Sequence, residues 1–248
     1  MAVIDDLVAE QDRLETILAG LGEGEWAAPS AAAGWSVADV VLHLAQTEEA
    51  VVASAAGRDM AVPSALAPGS AGPTLDEVMN QLVEAQRAAP APVFQRWRDA
   101  RAAAAAALRA ADPQVPLTWV DRPLKPATLA TTRLAEHWAH GLDITGPLGL
   151  DFPDTARLRH IAWLAHRSLP YALALAGEPP HEVFCDLTAP DGADVWRFGP
   201  PDADTAITGP AGAFCRVAAQ RLTPAQSGLR ATGPHGAAAL RVLRTYAA

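Results

Sequence analysis

At 248 residues the chain exceeds the usual single-core domain of about 100–150, so one large domain or two smaller ones both fit. Half of its residues are apolar and 19% are charged, which is globular rather than disordered composition. The net charge is −9, and Lys125 is the one lysine among 19 basic residues with no basic cluster, so neither nucleic acid nor an anionic membrane is an expected partner.

The chain starts Met-Ala-Val-Ile-Asp-Asp, with neither a basic region nor an apolar signal core, which predicts a cytoplasmic protein. Ile4, Leu7, Val8, Leu14, Ile17 and Leu18 recur at helical spacing, and Gly20 and Gly22 close that segment. Ser36-Val-Ala-Asp39 reads as a capping box opening an apolar-periodic helix through about Ser54. Val62–Pro73 is rich in Pro, Ser, Gly and Ala and predicts a loop. Thr74-Leu-Asp-Glu77 is a second capping box, starting a helix to about Ala88 that Pro90 and Pro92 punctuate. A further helix runs through Ala111. Its alanine-rich stretch, Ala102–Ala107, is flanked by Arg98, Arg101 and Arg109, and no window approaches about 18 uninterrupted apolar residues, so no membrane span is expected. A proline-rich connection over Asp112–Lys125 leads into a helix from Pro126 to Ile144, with proline at its first turn. Another helix starts at Asp154, kinked or split at Pro170.

Beyond Gly177 the period changes. Val183–Leu187 and Val195–Phe198 flank Ala-Pro-Asp-Gly-Ala-Asp and predict a hairpin. Thr205–Thr208 and Gly228–Thr232 read as further strands, with helices at Ala211–Arg221 and Ala237–Tyr246. Cys185 and Cys215 are too few and too far apart for a disulfide framework or a thiolate cage, and read as small buried hydrophobes.

The segment Arg133-Leu-Ala-Glu-His-Trp-Ala-His-Gly-Leu-Asp143 carries most of the chemistry. On a helix, Arg133, Glu136, His140 and Asp143 share an arc of roughly 80°, with Leu134, Trp138 and Leu142 opposite. A carboxylate and an imidazole at i and i+4 can converge on one ion. A polar stripe is equally what a solvent-facing amphipathic helix shows. His137 points about 100° away from Glu136 and is the poorer ligand. In the earlier helix, Ser36, Asp39, His43, Thr47 and Ala50 line one stripe, so His43 projects from small and polar neighbours. A catalytic zinc takes three protein ligands and the i, i+4 pair supplies two, which makes His43 the candidate third. Trp35 and Trp138 flank these residues and Trp119 precedes the second helix; each could line a pocket or fill a core. His160, His166, His181 and His235 have no partner at ligand spacing.

The pattern Gly34-Trp35-Ser36-Val37-x-Asp39-x-x-x-His43, followed about 90 residues later by Glu136-x-x-x-His140-Gly141-x-Asp143, resembles the mycothiol-dependent maleylpyruvate isomerase family of DinB-like metal-binding bundles. The resemblance spans nearly the whole chain, since members also carry a small C-terminal module similar to sterol-carrier-protein folds. It implies an α+β protein: a DinB-like four-helix bundle of up-down-down-up type over residues 1–177, then a small α/β module over 178–248. It also implies that His43, Glu136 and His140 hold a divalent metal, zinc foremost. Such a set leaves a coordination position open, where a low-molecular-weight thiol, mycothiol in the family, gains thiolate character near neutral pH. Reversible addition of that thiolate to a small electrophilic substrate yields cis–trans isomerisation, and addition without reversal yields thiol transfer. Trp35 and Trp138 would line the cofactor site. An anionic substrate needs a counter-charge. Arg133 lies on the ligand face, but a salt bridge that orients Glu136 is the favoured role for it. The family draws an arginine from its C-terminal module, the region here of Arg216, Arg221 and Arg230; Arg221 ends a predicted helix, where the dipole alone favours a cation. Asp143 could hold the second ring nitrogen of His140 or simply solvate its helix. A thiol-independent metalloenzyme and a non-catalytic binding protein are the competing readings.

Overall fold

The computed structural model describes residues 2–60, 74–120 and 122–245. The loop expected over Val62–Pro73 lies outside the described residues. The elements run α1 (Ala2–Ala19), α2 (Glu23–Trp26), α3 (Val37–Ala55), α4 (Leu75–Ala85), α5 (Pro90–Ala110), α6 (Pro126–Leu148), α7 (Leu158–Leu175), β1 (Val183–Thr188), β2 (Val195–Phe198), β3 (Thr205–Pro210), α8 (Ala211–Ala218), β4 (Arg230–Thr232) and α9 (Gly236–Val242). Two compact units divide the chain, residues 1–152 and 153–247. None of the described helices is long and apolar enough to cross a membrane.

The first unit is built on four long helices, α1, α3, α5 and α6, with α3 packed on α5 and α1 on α6. Leu14, Leu18, Val37, Val41, Leu44, Trp97 and Ile144 fill one contiguous core between them. Ion pairs reveal the directions. Arg109 meets Asp5 while Arg101 meets Asp12 and Glu15, so α1 and α5 are antiparallel. Arg87, just before α5, meets Asp39, and Arg96 meets Glu49, so α3 and α5 run the same way. Glu48 faces Arg133 while His43 faces Glu136 and Trp35 faces His140, so α3 and α6 are antiparallel. The order is up-down-down-up.

Local chemistry explains where these helices begin. Ser36 and Asp39 exchange the two bonds of a capping box, Ser36 N–H to Asp39 at 3.0 Å and Asp39 N–H to Ser36 Oγ at 3.2 Å. Thr74 and Glu77 do the same for α4. Pro90, Pro92 and Pro126 sit in the first turns of α5 and α6, where a missing N–H costs no helical bond; the proline pair begins α5 rather than separating it from a later start. α6 continues a turn past Ile144, through Pro147, and stops at Gly149, whose φ of 67° is left-handed. Gly141, beside His140, meets the need for close approach: a Cβ there would stand 2.4 Å from Cζ of Phe152.

In the second unit the sheet order is β2-β1-β3-β4, with β1/β2 and β3/β4 antiparallel and β1/β3 parallel. Val183, Cys185 and Leu187 face inward, toward α8. The predicted hairpin and both further strands are present. Boundaries differ from expectation: α9 ends at Val242 rather than Tyr246 and β4 begins at Arg230 rather than Gly228. α7 packs with α8, α9 and β2, so the break between compact units falls at 152/153 rather than 177/178. An apolar stripe specifies which face of a helix is buried but not against what. α7 also starts at Leu158, leaving Asp154 outside the helix in a two-bond pair with Arg216 at 2.7 and 2.9 Å; it then continues through Pro170 without a break. Finally, α8 ends at Ala218 instead of Arg221. Gln220 takes φ 60°, and the N–H groups of Gln220 and Arg221 return to the carbonyls of Val217 and Arg216, closing a Schellman motif.

Candidate metal centre

Two antiparallel helices of the first unit, α3 and α6, bring the centre together. His43 lies two turns inside α3, and Glu136 and His140 lie one turn apart on α6. One ligand atom from each falls within 4.8 Å of the others, the one such group of three among the described residues. Nε2 of His43 is 3.8 Å and Nε2 of His140 is 3.5 Å from Oε2 of Glu136. Tetrahedral zinc with ligand atoms at about 2.0–2.1 Å separates those atoms by about 3.4 Å. The spacing is therefore that of donors around an ion, and longer than a hydrogen bond of about 2.7–3.2 Å. The residues fit a divalent metal held by two imidazoles and a carboxylate.

Neighbouring groups set the state of each donor. Oδ2 of Asp143 lies 2.9 Å from Nδ1 of His140, so that nitrogen carries the donated proton and Nε2 is left for an ion. Burial works against a charge on His140, yet its contacts with Asp143 and Glu136 outweigh it and raise its pKa. Burial also works against ionised Glu136, but the two imidazoles hold it well below the usual carboxylate range. For His43 burial prevails, bringing it down to about 4, so its ring is neutral at physiological pH. Both imidazoles are buried, while the Glu136 side chain keeps 30% of its surface exposed, which opens the centre on the Glu136 side.

Trp35 roofs the pair of imidazoles, its ring 5.0 Å from His43 and 6.3 Å from His140, nearly parallel to the latter. The loop before α3 holds it there. Ser30 Oγ donates to the Trp35 carbonyl, Val37 N–H to that of Ala28, and Ala31 N–H to the Asp143 carbonyl on α6.

The other expected site residues have these surroundings. Trp138 is a fully buried core residue, on the side of α6 opposite the ligands, and makes no ring contact with His43 or His140 among the described residues. Arg133 does share the ligand face, but its guanidinium is bonded to Glu48 and Thr47 of α3 rather than to Glu136. Arg221 belongs to the second unit, where it donates to the Ala219 carbonyl just past α8. His137 points away from the ligands, as its helical phase predicts. Its Nδ1 donates to the Arg133 carbonyl and its Nε2 accepts from Trp97, and burial keeps it neutral with a pKa of about 3. The residue that spacing does not flag is Glu48, wholly buried one turn beyond His43. It lies in the polar run Gln46-Thr47-Glu48-Glu49, where spacing does not tell a buried acid from a solvated one.

Comparison with known proteins follows the same lines. Residues 7–145 match the family model of the mycothiol maleylpyruvate isomerase N-terminal domain. Two uncharacterized proteins of Mycobacterium tuberculosis, from strains CDC 1551 / Oshkosh and ATCC 25618 / H37Rv, are each 35% identical over 246 residues, covering 98% of this chain and 95% of theirs. Among solved structures, the mycothiol-dependent maleylpyruvate isomerase superposes with a TM-score of 0.62 and a histidine-to-alanine mutant of it with 0.64. Both are 15% identical, covering 95% of this chain and 92% of theirs, and share its fold.

Proposed function

The chain belongs to the mycothiol maleylpyruvate isomerase N-terminal-domain family, and from that premise we propose that it is a metal-dependent enzyme. In this reading it uses mycothiol to isomerise a small electrophilic substrate or to transfer the thiol to it. The observation that carries the proposal is the convergence of His43, Glu136 and His140 from two helices on one point. His43, Glu136 and His140 would hold a divalent ion, zinc foremost, and that ion would supply a Lewis acid able to lower a thiol's pKa toward neutrality.

The chain's own residues do the rest. Asp143 keeps the proton of His140 on Nδ1 and so fixes which nitrogen faces the centre. Trp35 covers the imidazoles from water, leaving approach from the Glu136 side. A thiol from outside is what the chemistry requires, because burial pushes the Cys185 thiol up to about 12 and raises that of Cys215 as well. Neither forms an appreciable thiolate at neutral pH.

The test has two stages. Metal analysis of the purified protein is expected to give about one divalent ion per chain in the wild type and a large loss in His43→Ala and Glu136→Ala. Full metal content in both variants would remove the centre. Calorimetric titration of zinc-loaded protein with mycothiol is then expected to show saturable binding that His43→Ala lacks. Absence of heat with the loaded wild type rejects the thiol and leaves a metalloenzyme of other chemistry.

A further inference from the structure

His43 is separated from Glu136 by more than ninety residues of chain, so the ligand set depends on how α3 is keyed to α6. One buried polar cross-tie does this. Arg133, one turn before Glu136, is 3% exposed. Its Nε donates to Oε1 of Glu48 at 2.8 Å and its Nη2 to Oγ1 of Thr47 at 2.6 Å. Thr47 in turn donates its hydroxyl proton to the carbonyls of His43, at 3.0 Å, and Leu44, at 3.1 Å. Two successive hydrogen bonds therefore lead from the α6 arginine to the backbone of the α3 ligand.

Stability alone does not account for this arrangement. Glu48 is 0% exposed, its Oε2 has no hydrogen-bond partner among the described residues, and burial raises its pKa even against the pull of Arg133. A buried ion pair often holds a fold no better than apolar residues of the same volume. What apolar packing lacks is direction. A guanidinium is planar with its donors at fixed angles. Thr47 and Glu48 are consecutive, so they project about 100° apart around α3. Gripping both at once sets the rotation of α3 about its axis and its slide along α6. The ligands then sit at fixed offsets: His43 four and five residues back from the gripped pair, Glu136 and His140 three and seven residues on from Arg133.

We propose that Arg133, Glu48 and Thr47 form a strut that presets the His43–Glu136–His140 ligand geometry, with Arg133 a positioning residue and not the counter-charge of a substrate. The inference rests on the metal reading above. It is tested with zinc affinity by chelator competition, the visible spectrum of the cobalt(II)-loaded protein as a reporter of ligand geometry, and the melting temperature as a control of folding. Arg133→Met and Arg133→Lys are expected to fold, to bind zinc about 10–100-fold more weakly and to alter the cobalt bands. Lysine does not rescue, because an ammonium lacks the planar fork. Thr47→Val, which removes both bonds of this chain but leaves the Arg133–Glu48 pair, weakens zinc binding in the same direction by less. Wild-type affinity with an unchanged cobalt spectrum in either folded Arg133 variant overturns the strut; should both fail to fold, the same result in Thr47→Val overturns it. The underlying metal reading fails separately, in a wild type that takes up no metal or a His43→Ala that takes it up normally.

Discussion

Which nitrogen of His140 can face an ion is decided by Asp143, three residues further along α6. With the carboxylate at 2.9 Å from Nδ1, the tautomer is fixed and the ring cannot turn without giving up a buried hydrogen bond. Asp143→Ala is therefore expected to weaken zinc binding about 10–100-fold with the fold retained. Chelator competition measures it, and an affinity equal to wild type would mean that packing alone orients the ring. At this scale the sequence was readable wherever one helix determines the answer. Glu136, His140 and Asp143 share a face by helical phase, and His137 is excluded by the same phase. What depends on a neighbouring helix was not. Arg133 could be placed on the ligand face, but its choice of Glu48 over Glu136 follows from how α3 lies against α6, and no spacing within α6 encodes that. Trp138 illustrates the converse: adjacency in sequence to a ligand put it in the core, half a helical circumference away.

The start of α3 carries a second consequence, because whatever frays its first turn disturbs Trp35 and His43 together. Asp39 closes the capping box with Ser36 and receives Arg87 through two bonds of 2.9 and 3.3 Å. Burial works to raise the Asp39 pKa, but these bonds prevail and lower it from 3.8. A carboxylate with a depressed folded pKa contributes stability that is complete above the unfolded value of 3.8 and is lost as pH falls through the folded one. Asp39→Asn is expected to cost about 1–2 kcal/mol. In urea unfolding, the gap to wild type stays constant from neutral pH down to about 4 and closes below it. A gap that has already closed at pH 6 would show that the charge of Asp39 is not what matters. Helices such as α3, α4 and α6 were legible from the sequence because their caps and first-turn prolines are local chemistry. The end of α8 was not, since Gln220 in the left-handed region stops it where a glycine would ordinarily be the sign. The allegiance of α7 was hidden for a different reason: its stripe suits either a bundle or the back of a sheet.

For the whole chain, topology and ligand placement act together. In the first unit α3 and α5 lie side by side and run the same way, so the end of α3 and the start of α5 lie at opposite ends of a 19-residue helix, a span of about 28 Å. All three ligands, Asp143 and the Arg133 strut belong to this unit, while both cysteines belong to the other. Because His43 and the Glu136–His140 pair meet only when α3 and α6 are packed, an unfolded chain offers an ion no more than the i, i+4 pair. On the proposed metal reading, zinc would bind the native state far better than the unfolded one, and its binding free energy would add to folding. At free zinc of 100 times its dissociation constant the gain is about 2.7 kcal/mol. In a unit of this size that corresponds to a melting temperature higher by about 5–10 °C. Differential scanning calorimetry of the wild type with zinc and then with excess chelator is expected to show this shift, and His43→Ala is expected to show little of it. An equal zinc-dependent shift in both proteins would place the stabilising ion elsewhere, since a two-ligand remnant on α6 alone cannot discriminate a packed bundle from a single helix.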